Sequence, residues 1–531
     1  RGNIIGRNDT TDNIKIISAG SNAIYGISIA GPGHCRIHNN FIGGVSLLRT
    51  SNGSGAIILI GGGGQDSVEV VNNVLGSSTV PNSIYSSTNE RFEGIQLTSV
   101  NMLITGNTLC NFTKNSTVTG IHNTLEGIGD NYYAWSGSIV AGKCIITNNT
   151  IRNLNTNAYA LYPIYGIVVK HGSSVVDISH NTISSFTSAG PQNERINGIE
   201  YDGFINQHVT ISNNYIHNIS ITSTHSSIIF GIQTTCCGDQ YIYNNMIALG
   251  LDSAGHQHTN ESEHDGISAT GAKVDIFHNS ISFCGYDSIY NTGSYGISLD
   301  AIAAGDSVFD NIVFNDRTNI WNANEEHALI FLTGNSPAKS DYNVVYVSDV
   351  EGHMFASSTG NYNSLAAWQS GTGNDIHSIW GGPSYVEPCG NDSTTNLHIG
   401  WASIVESNGY NIPWITTDID SDIRAANGPT DIGADAGTFI MTSTPNESIA
   451  SALSVYPNPA QSLLQIEAQT NSVQPSFEIL DLEGRIIATY TSDTLTKNNT
   501  GFSIDVSSLD PGIYLIRETN STGAGTVFIK Q

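Results

Sequence analysis

One asparagine recurs along this chain with an aliphatic residue on either side of it. It stands at Asn3, Asn40, Asn73, Asn107, Asn149, Asn181, Asn214, Asn245, Asn279, Asn311 and Asn343, in steps of 37, 33, 34, 42, 32, 33, 31, 34, 32 and 32 residues. Three residues before it, from the second occurrence to the tenth, come Ile37, Val70, Ile104, Ile146, Ile178, Ile211, Ile242, Ile276 and Val308. Two residues after it come Ile42, Leu75, Leu109, Ile151, Ile183, Ile216, Ile247, Ile281 and Val313. The residues between are small or polar, and β-branched types hold the inward positions, which predicts short strands rather than helix. A period of this length marks a solenoid or blade architecture.

A Gly-Ile pair forms a second series, at Gly26-Ile27, Gly94-Ile95, Gly166-Ile167, Gly198-Ile199, Gly231-Ile232, Gly266-Ile267 and Gly296-Ile297, with Gly120-Ile121 displaced by an insertion. Each repeat then reads as two or three strands separated by turns, one lap of a coil. These columns resemble the right-handed parallel β-helix repeat, over residues 1–345 and about eleven rungs, roughly 50 Å at one strand spacing per rung. Rungs stacked about 4.8 Å apart would let the asparagine amides bond up and down the column as a structural ladder.

Beyond residue 345 the pattern changes. The runs Ser364 to Gln369, Asp375 to Ile379, Asn396 to Ile399, Asp418 to Arg424 and Asp431 to Asp435 resemble the closing segment of secreted bacterial β-helix proteins, so 346–440 is expected to cap the last open rung. A polar linker, 441–452, follows. The motifs Tyr456-Pro457-Asn458-Pro459, Asp481-Leu482-Glu483-Gly484-Arg485 and Asp510-Pro511-Gly512-Ile513-Tyr514 lie between alternating strands in 453–531. They predict a small antiparallel, immunoglobulin-like β-sandwich. They resemble the type A C-terminal sorting domain of the Bacteroidetes type IX secretion system. That resemblance implies export by the type IX machinery, then release or attachment at the outer cell surface. The whole is expected to be an all-β chain: a right-handed parallel β-helix with a C-terminal cap, then a sorting sandwich.

Composition narrows the partners. Charged residues are 12% of the chain, and the formal net charge is −27, which argues against nucleic acid and anionic membrane surfaces. No apolar run reaches the length of a membrane span. The seven cysteines suggest no framework. Cys35 and Cys144 read as core thiols, and the adjacent Cys236 and Cys237 are candidates for a disulfide. Because Asn3 already occupies the ladder position, the sequence is expected to be part of a longer chain.

Three clusters could carry chemistry. Lys170, Glu200 and Asp202 fall on neighbouring rungs two and four residues beyond the Gly-Ile glycine, at positions expected to face solvent with no arginine beside them. They read as an inter-rung salt bridge or, if catalytic, as the base and carboxylates of a polysaccharide lyase or hydrolase. His256, His258, Glu261 and His264 read as a polar loop or a metal site. Asp418, Asp420 and Asp422 resemble the start of a Ca²⁺ loop, but Pro429 stands where its glutamate would be. Short Asp-Ser/Thr motifs around Ser67, Ser253, Ser288, Ser307, Ser393 and Thr494 resemble O-glycosylation sites. No cofactor is required; Ca²⁺ is the candidate ion.

The leading expectation is a structural or adhesive protein, with self-assembly or surface glycans as candidate partners. A glycan-degrading enzyme and a Ca²⁺-dependent glycan-binding module are the alternatives.

Overall fold

The computed structural model describes residues 1–9, 14–18, 24–49, 56–87, 91–116, 124–130, 140–157, 164–170, 173–190, 194–203, 207–223, 225, 227–235, 238–258, 262–271, 273–287, 293–300, 305–319, 330–332, 339–348, 355–357, 360–424, 429–439, 454–467, 476–481, 485–491, 493–497, 501–519 and 526–531. They fall into two compact units, Arg1–Ile440 and Met441–Gln531.

The first unit is a parallel β-helix built from three long sheets. One lap runs from Ile164–Val169 in a twelve-stranded sheet (sheet 2) to Ser173–Ser179 in a ten-stranded sheet (sheet 3). It then turns at Asn181 into Thr182–Ser188 of a fifteen-stranded sheet (sheet 1) and returns to sheet 2 at Arg195–Tyr201. Register keeps like above like: Ile178 pairs with Ile211, Ile183 with Ile216 and Ile167 with Ile199. The aliphatic columns are therefore continuous walls of one core, and Ile178, Ile211, Ile183, Ile216, Ile167 and Ile199 are all fully buried.

The asparagine ladder is continuous from Asn3 to Asn343. At each step one Oδ1 accepts both the backbone N–H and the Nδ2 of the asparagine one rung earlier, as Asn245 Oδ1 does from Asn214 at 3.0 Å each. The second Nδ2 hydrogen reaches back a rung, from Asn214 to Ile178 O at 2.9 Å. Buried amide and backbone groups at the corner are thus satisfied together. The residue just before each ladder asparagine is left-handed, as in Asn213 (φ 55), Asn244 (φ 54), His278 (φ 51) and Tyr342 (φ 56). That conformation is easiest for Gly and Asn, which accounts for the frequent doubled Asn.

The Gly-Ile column has a steric cause. A Cβ on Gly198 would stand 2.6 Å from Gly231 O and 2.8 Å from Ile216 Cγ2, and Gly166, Gly231 and Gly266 repeat the same clash. Only a bare Cα lets the sheet-2 backbone bend over the sheet-1 side chains there.

The far end of the ladder closes on different residues. Asn343 donates from its backbone N–H to Ser378 Oγ (2.8 Å) and from Nδ2 to Asp375 Oδ1 (2.9 Å). Asp375 also accepts from Trp368 Nε1 at 2.7 Å. Trp368 lies on the helix Leu365–Thr372, N-capped by Ser364 Oγ on Ala367 N–H and ended by Gly373 (φ 75). The indole is fully buried and stacks on Phe355 of the last parallel strand in sheet 2, ring centroids 5.3 Å apart. The strand Gly360–Tyr362 then pairs antiparallel with Phe355–Ser357.

The rest of the 346–440 segment does something the closing-segment resemblance does not indicate. From Tyr385 the chain runs back along the coil as a strap beside the ladder corner. Asn213 Nδ2 donates to Asp418 O, Asn244 Nδ2 to Thr417 O and Tyr215 OH to Thr395 O. Arg424 is buried and its Nη2 donates to Asn244 Oδ1 (2.9 Å), Gly433 O (2.7 Å) and Ala434 O (3.2 Å). A disulfide joins Cys284 of the coil to Cys389 of the strap, a pairing not foreseen from the cysteine spacing. Cys144 and Cys110 are buried thiols and Cys35 is half-buried; Cys236 and Cys237 lie outside the described residues.

The second unit holds two four-stranded antiparallel sheets, one with Ser454–Tyr456, Leu463–Glu467, Thr496–Lys497 and Phe502–Asp505, the other with Phe477–Leu480, Ile486–Tyr490, Gly512–Glu518 and Thr526–Lys530. Leu464, Ile466, Phe477, Ile479, Ile504, Ile516 and Phe528 fill its core.

Candidate functional site

Sheet 2 brings Lys170, Glu200 and Asp202 onto adjacent rungs. Lys170 Nζ lies 2.9 Å from Glu200 Oε1. Two expectations are corrected here. Glu200 is only 4% exposed, and an arginine does stand beside it, with Arg195 Nη2 3.3 Å from Oε2. Asn197 Nδ2 also donates to Glu200 Oε2 at 2.6 Å. Asp202 accepts from Thr235 Oγ1 at 2.8 Å, and its charge helps hold Lys170 protonated. The cations lie against rings, Lys170 5.5 Å from the Tyr165 centroid and Arg195 4.9 Å from that of Phe230, which suits partly desolvated cations. On neighbouring rungs Arg91 pairs with Glu93 at 2.8 Å. Burial raises the carboxyl of Glu126 despite the opposing charges of Arg91 and Lys170. Sequence reasoning missed Arg91, Glu93, Glu126 and Arg195. Arg91, Glu93 and Arg195 stand one or three residues before their Gly-Ile glycines rather than beyond them, and Glu126 precedes Gly127-Ile128, which pairs with Gly94-Ile95 where Gly120-Ile121 was expected.

The histidine group divides. His258 Nδ1 and His264 Nε2 lie 3.1 Å apart in the interior, so this is not an open polar loop. Burial, with Arg317 nearby, pushes His258 down to about 3, so the ring is neutral at physiological pH. His256 is exposed and rests on Asp252 at 3.2 Å. Glu261 lies outside the described residues.

The aspartate triplet divides too. Asp418 spends its oxygens on backbone: Oδ1 accepts from Asp420 N–H (2.9 Å) and Asp422 N–H (2.8 Å), Oδ2 from Ala436 N–H (2.9 Å). It builds the turn. Asp422 stays exposed. Asp420 instead meets His398 and Asp435, from strap segments the sequence pattern did not connect.

A fourth feature was not foreseen. Residues 409–416 of the strap lie on the outer face of sheet 3, where Trp414 meets Tyr243, Tyr241 and Phe277 with centroids 5.2, 5.7 and 5.9 Å away. Trp414 nonetheless remains 50% exposed, and Tyr410, packed on Phe309 and Tyr342, 52%. Beside Tyr241 stand His208, centroid 4.8 Å away, and Lys273, which pairs with Asp275 at 2.7 Å.

In the second unit, Asn458 pins the last strand, accepting from Ile529 N–H (2.9 Å) and donating to Val527 O (3.2 Å), between Pro457 and Pro459. Tyr514 stacks on Phe528 and donates to Asp510 O at 2.9 Å, near Gly512. Gly484 lies outside the described residues.

Residues 454–530 match the family model described as the secretion system C-terminal sorting domain. No curated protein matches the chain. Parallel β-helix and sorting sandwich together define a secreted β-helix protein carrying a type IX sorting domain. Such a domain places the protein at the cell surface or outside the cell and implies contact with the type IX machinery. Among the described residues no helix is long and apolar enough to cross a membrane. A disulfide is in keeping with export to an oxidising compartment.

Proposed function

We propose that this is an exported adhesive protein whose β-helix is a rigid scaffold for binding glycan on the outer face of sheet 3. The half-exposed indole of Trp414 carries the reading. It is held edge-on by three buried or half-buried rings, so its orientation is set before any ligand arrives. A pyranose presents an apolar C–H face rimmed by hydroxyls. A fixed indole suits that face, and Lys273 and His208, which flank the neighbouring Tyr241, offer polar groups on the same face. The test is affinity electrophoresis and calorimetry of the full chain against neutral and acidic polysaccharides. Trp414→Ala is expected to weaken binding of a recognised glycan about tenfold or more, while Glu200→Gln leaves it unchanged. Equal binding by Trp414→Ala and the unaltered chain would remove the assignment.

A second reading, cleavage of polysaccharide on sheet 2, draws support from Glu126, whose burial favours the protonated acid beside the Lys170–Glu200 pair. Release of new reducing or unsaturated ends, lost in Glu200→Gln, would replace the adhesive reading with this one.

A further inference from the structure

The strap gathers three potential metal ligands from distant parts of its sequence. His398 lies on the strand Asn396–Ile399, Asp420 in the turn closed by the Thr417–Ile423 bridge, and Asp435 near the strap's end. One ligand atom from each lies within 4.8 Å of the others. His398 Nδ1 faces Asn396 Oδ1 at 2.5 Å. An amide oxygen only accepts, so the ring proton belongs on Nδ1 and the Nε2 lone pair points outward. Nε2 then faces Asp420 Oδ2 at 2.7 Å. Two lone-pair bearers that close need a cation between them, either a proton or a metal ion.

Asp435 separates the two cases. It is 8% exposed, and its Oδ2 accepts from Ile399 N–H at 2.7 Å. No described residue donates a hydrogen bond to its other oxygen. One proton on Nε2 answers Asp420 alone and leaves this second, buried carboxylate facing the same point. A divalent ion answers all three groups, while the Asn396 amide oxygen, accepting from Nδ1–H, holds a ligating imidazole in its tautomer.

We propose that His398, Asp420 and Asp435 bind one divalent ion of the zinc type, which pins three segments of the strap together. An imidazole with two carboxylates suits zinc, with a fourth position left for water, better than the all-oxygen shell that calcium takes. The ion expected for the aspartate triplet thus changes from calcium to zinc, and only Asp420 of the three remains a ligand. Asp420 sits on an exposed turn, so its carboxylate has room to draw back as the ion enters.

Zn²⁺ is the probe, titrated by calorimetry into the full chain after chelator dialysis, with thermal melting followed in parallel. One ion per chain is expected, with a rise in melting temperature. His398→Ala and Asp420→Asn should each lose this site, and Asn396→Ala should weaken it about tenfold or more. Because the chain has 16 histidines, the variants decide: zinc binding of equal stoichiometry and affinity in Asp420→Asn means an adventitious ion elsewhere and overturns the proposal. So does a melting temperature that zinc does not move, which leaves a protonated imidazole as the cation. Asp420→Asn, at an exposed position, keeps the test valid if His398→Ala misfolds, and circular dichroism checks each fold.

Discussion

A single ladder asparagine does the work of several residues. Asn214 is fully buried, and its Oδ1 takes two hydrogen bonds from Asn181 while its own amide serves Ile178 O and Asn245. Truncation to alanine strands the Asn181 N–H, the Asn181 amide and Ile178 O in a place water does not reach. Each buried unsatisfied group costs about 1–3 kcal/mol. Asn214→Ala should therefore destabilise the first unit by about 3 kcal/mol or more in chemical denaturation. Asn408 is exposed on the strap and its side-chain amide donates to Ile404 O and Glu406 O, and Asn408→Ala should cost about 0.5 kcal/mol or less. Equal effects at the two positions would show that the ladder does not share load as its geometry implies.

Among elements, the strap separates this coil from a bare stack of rungs. Its buried anchor is Arg424, pushed down to about 10 by burial although Asp418, Asp310, Asp431 and Asp435 oppose that shift. Its covalent anchor is Cys284–Cys389, which closes a sequence separation of 105 residues. A cross-link over so long a loop is worth about 2–4 kcal/mol. Reductant, or Cys284→Ser, should lower the melting temperature of the first unit and open the strap to limited proteolysis between residues 385 and 424. Unchanged melting and cleavage on reduction would mean that Arg424 and the backbone bonds hold the strap alone.

For the whole molecule, the two units divide the labour. The second carries the export signal and the first whatever happens outside. A chain ending at residue 440 should fold yet accumulate inside the outer membrane, whereas residues 441–531 fused to a reporter should carry it out. Fractionation and immunoblotting distinguish these outcomes. Export of the truncated chain would strip the sorting assignment of its role.

The repeat was legible because its physics is local in each lap. An inward aliphatic, a turn asparagine and a bare glycine recur about every 33 residues, and each meets a copy of itself one rung away. The sandwich was legible for a similar reason, its turns being short and carrying their own residue types. The proposed glycan face and metal site were not. Asn213 meets Asp418 at a separation of 205 residues, and no period connects them. Trp414 is one aromatic in a polar stretch until the strap lays it on Tyr241 and Phe277, and His398, Asp420 and Asp435 share no spacing rule. Stacking like on like writes itself into the sequence as a period. Folding a non-repeating strap back across those stacks brings together residues whose only relation is the path of the chain, and that path is set by packing.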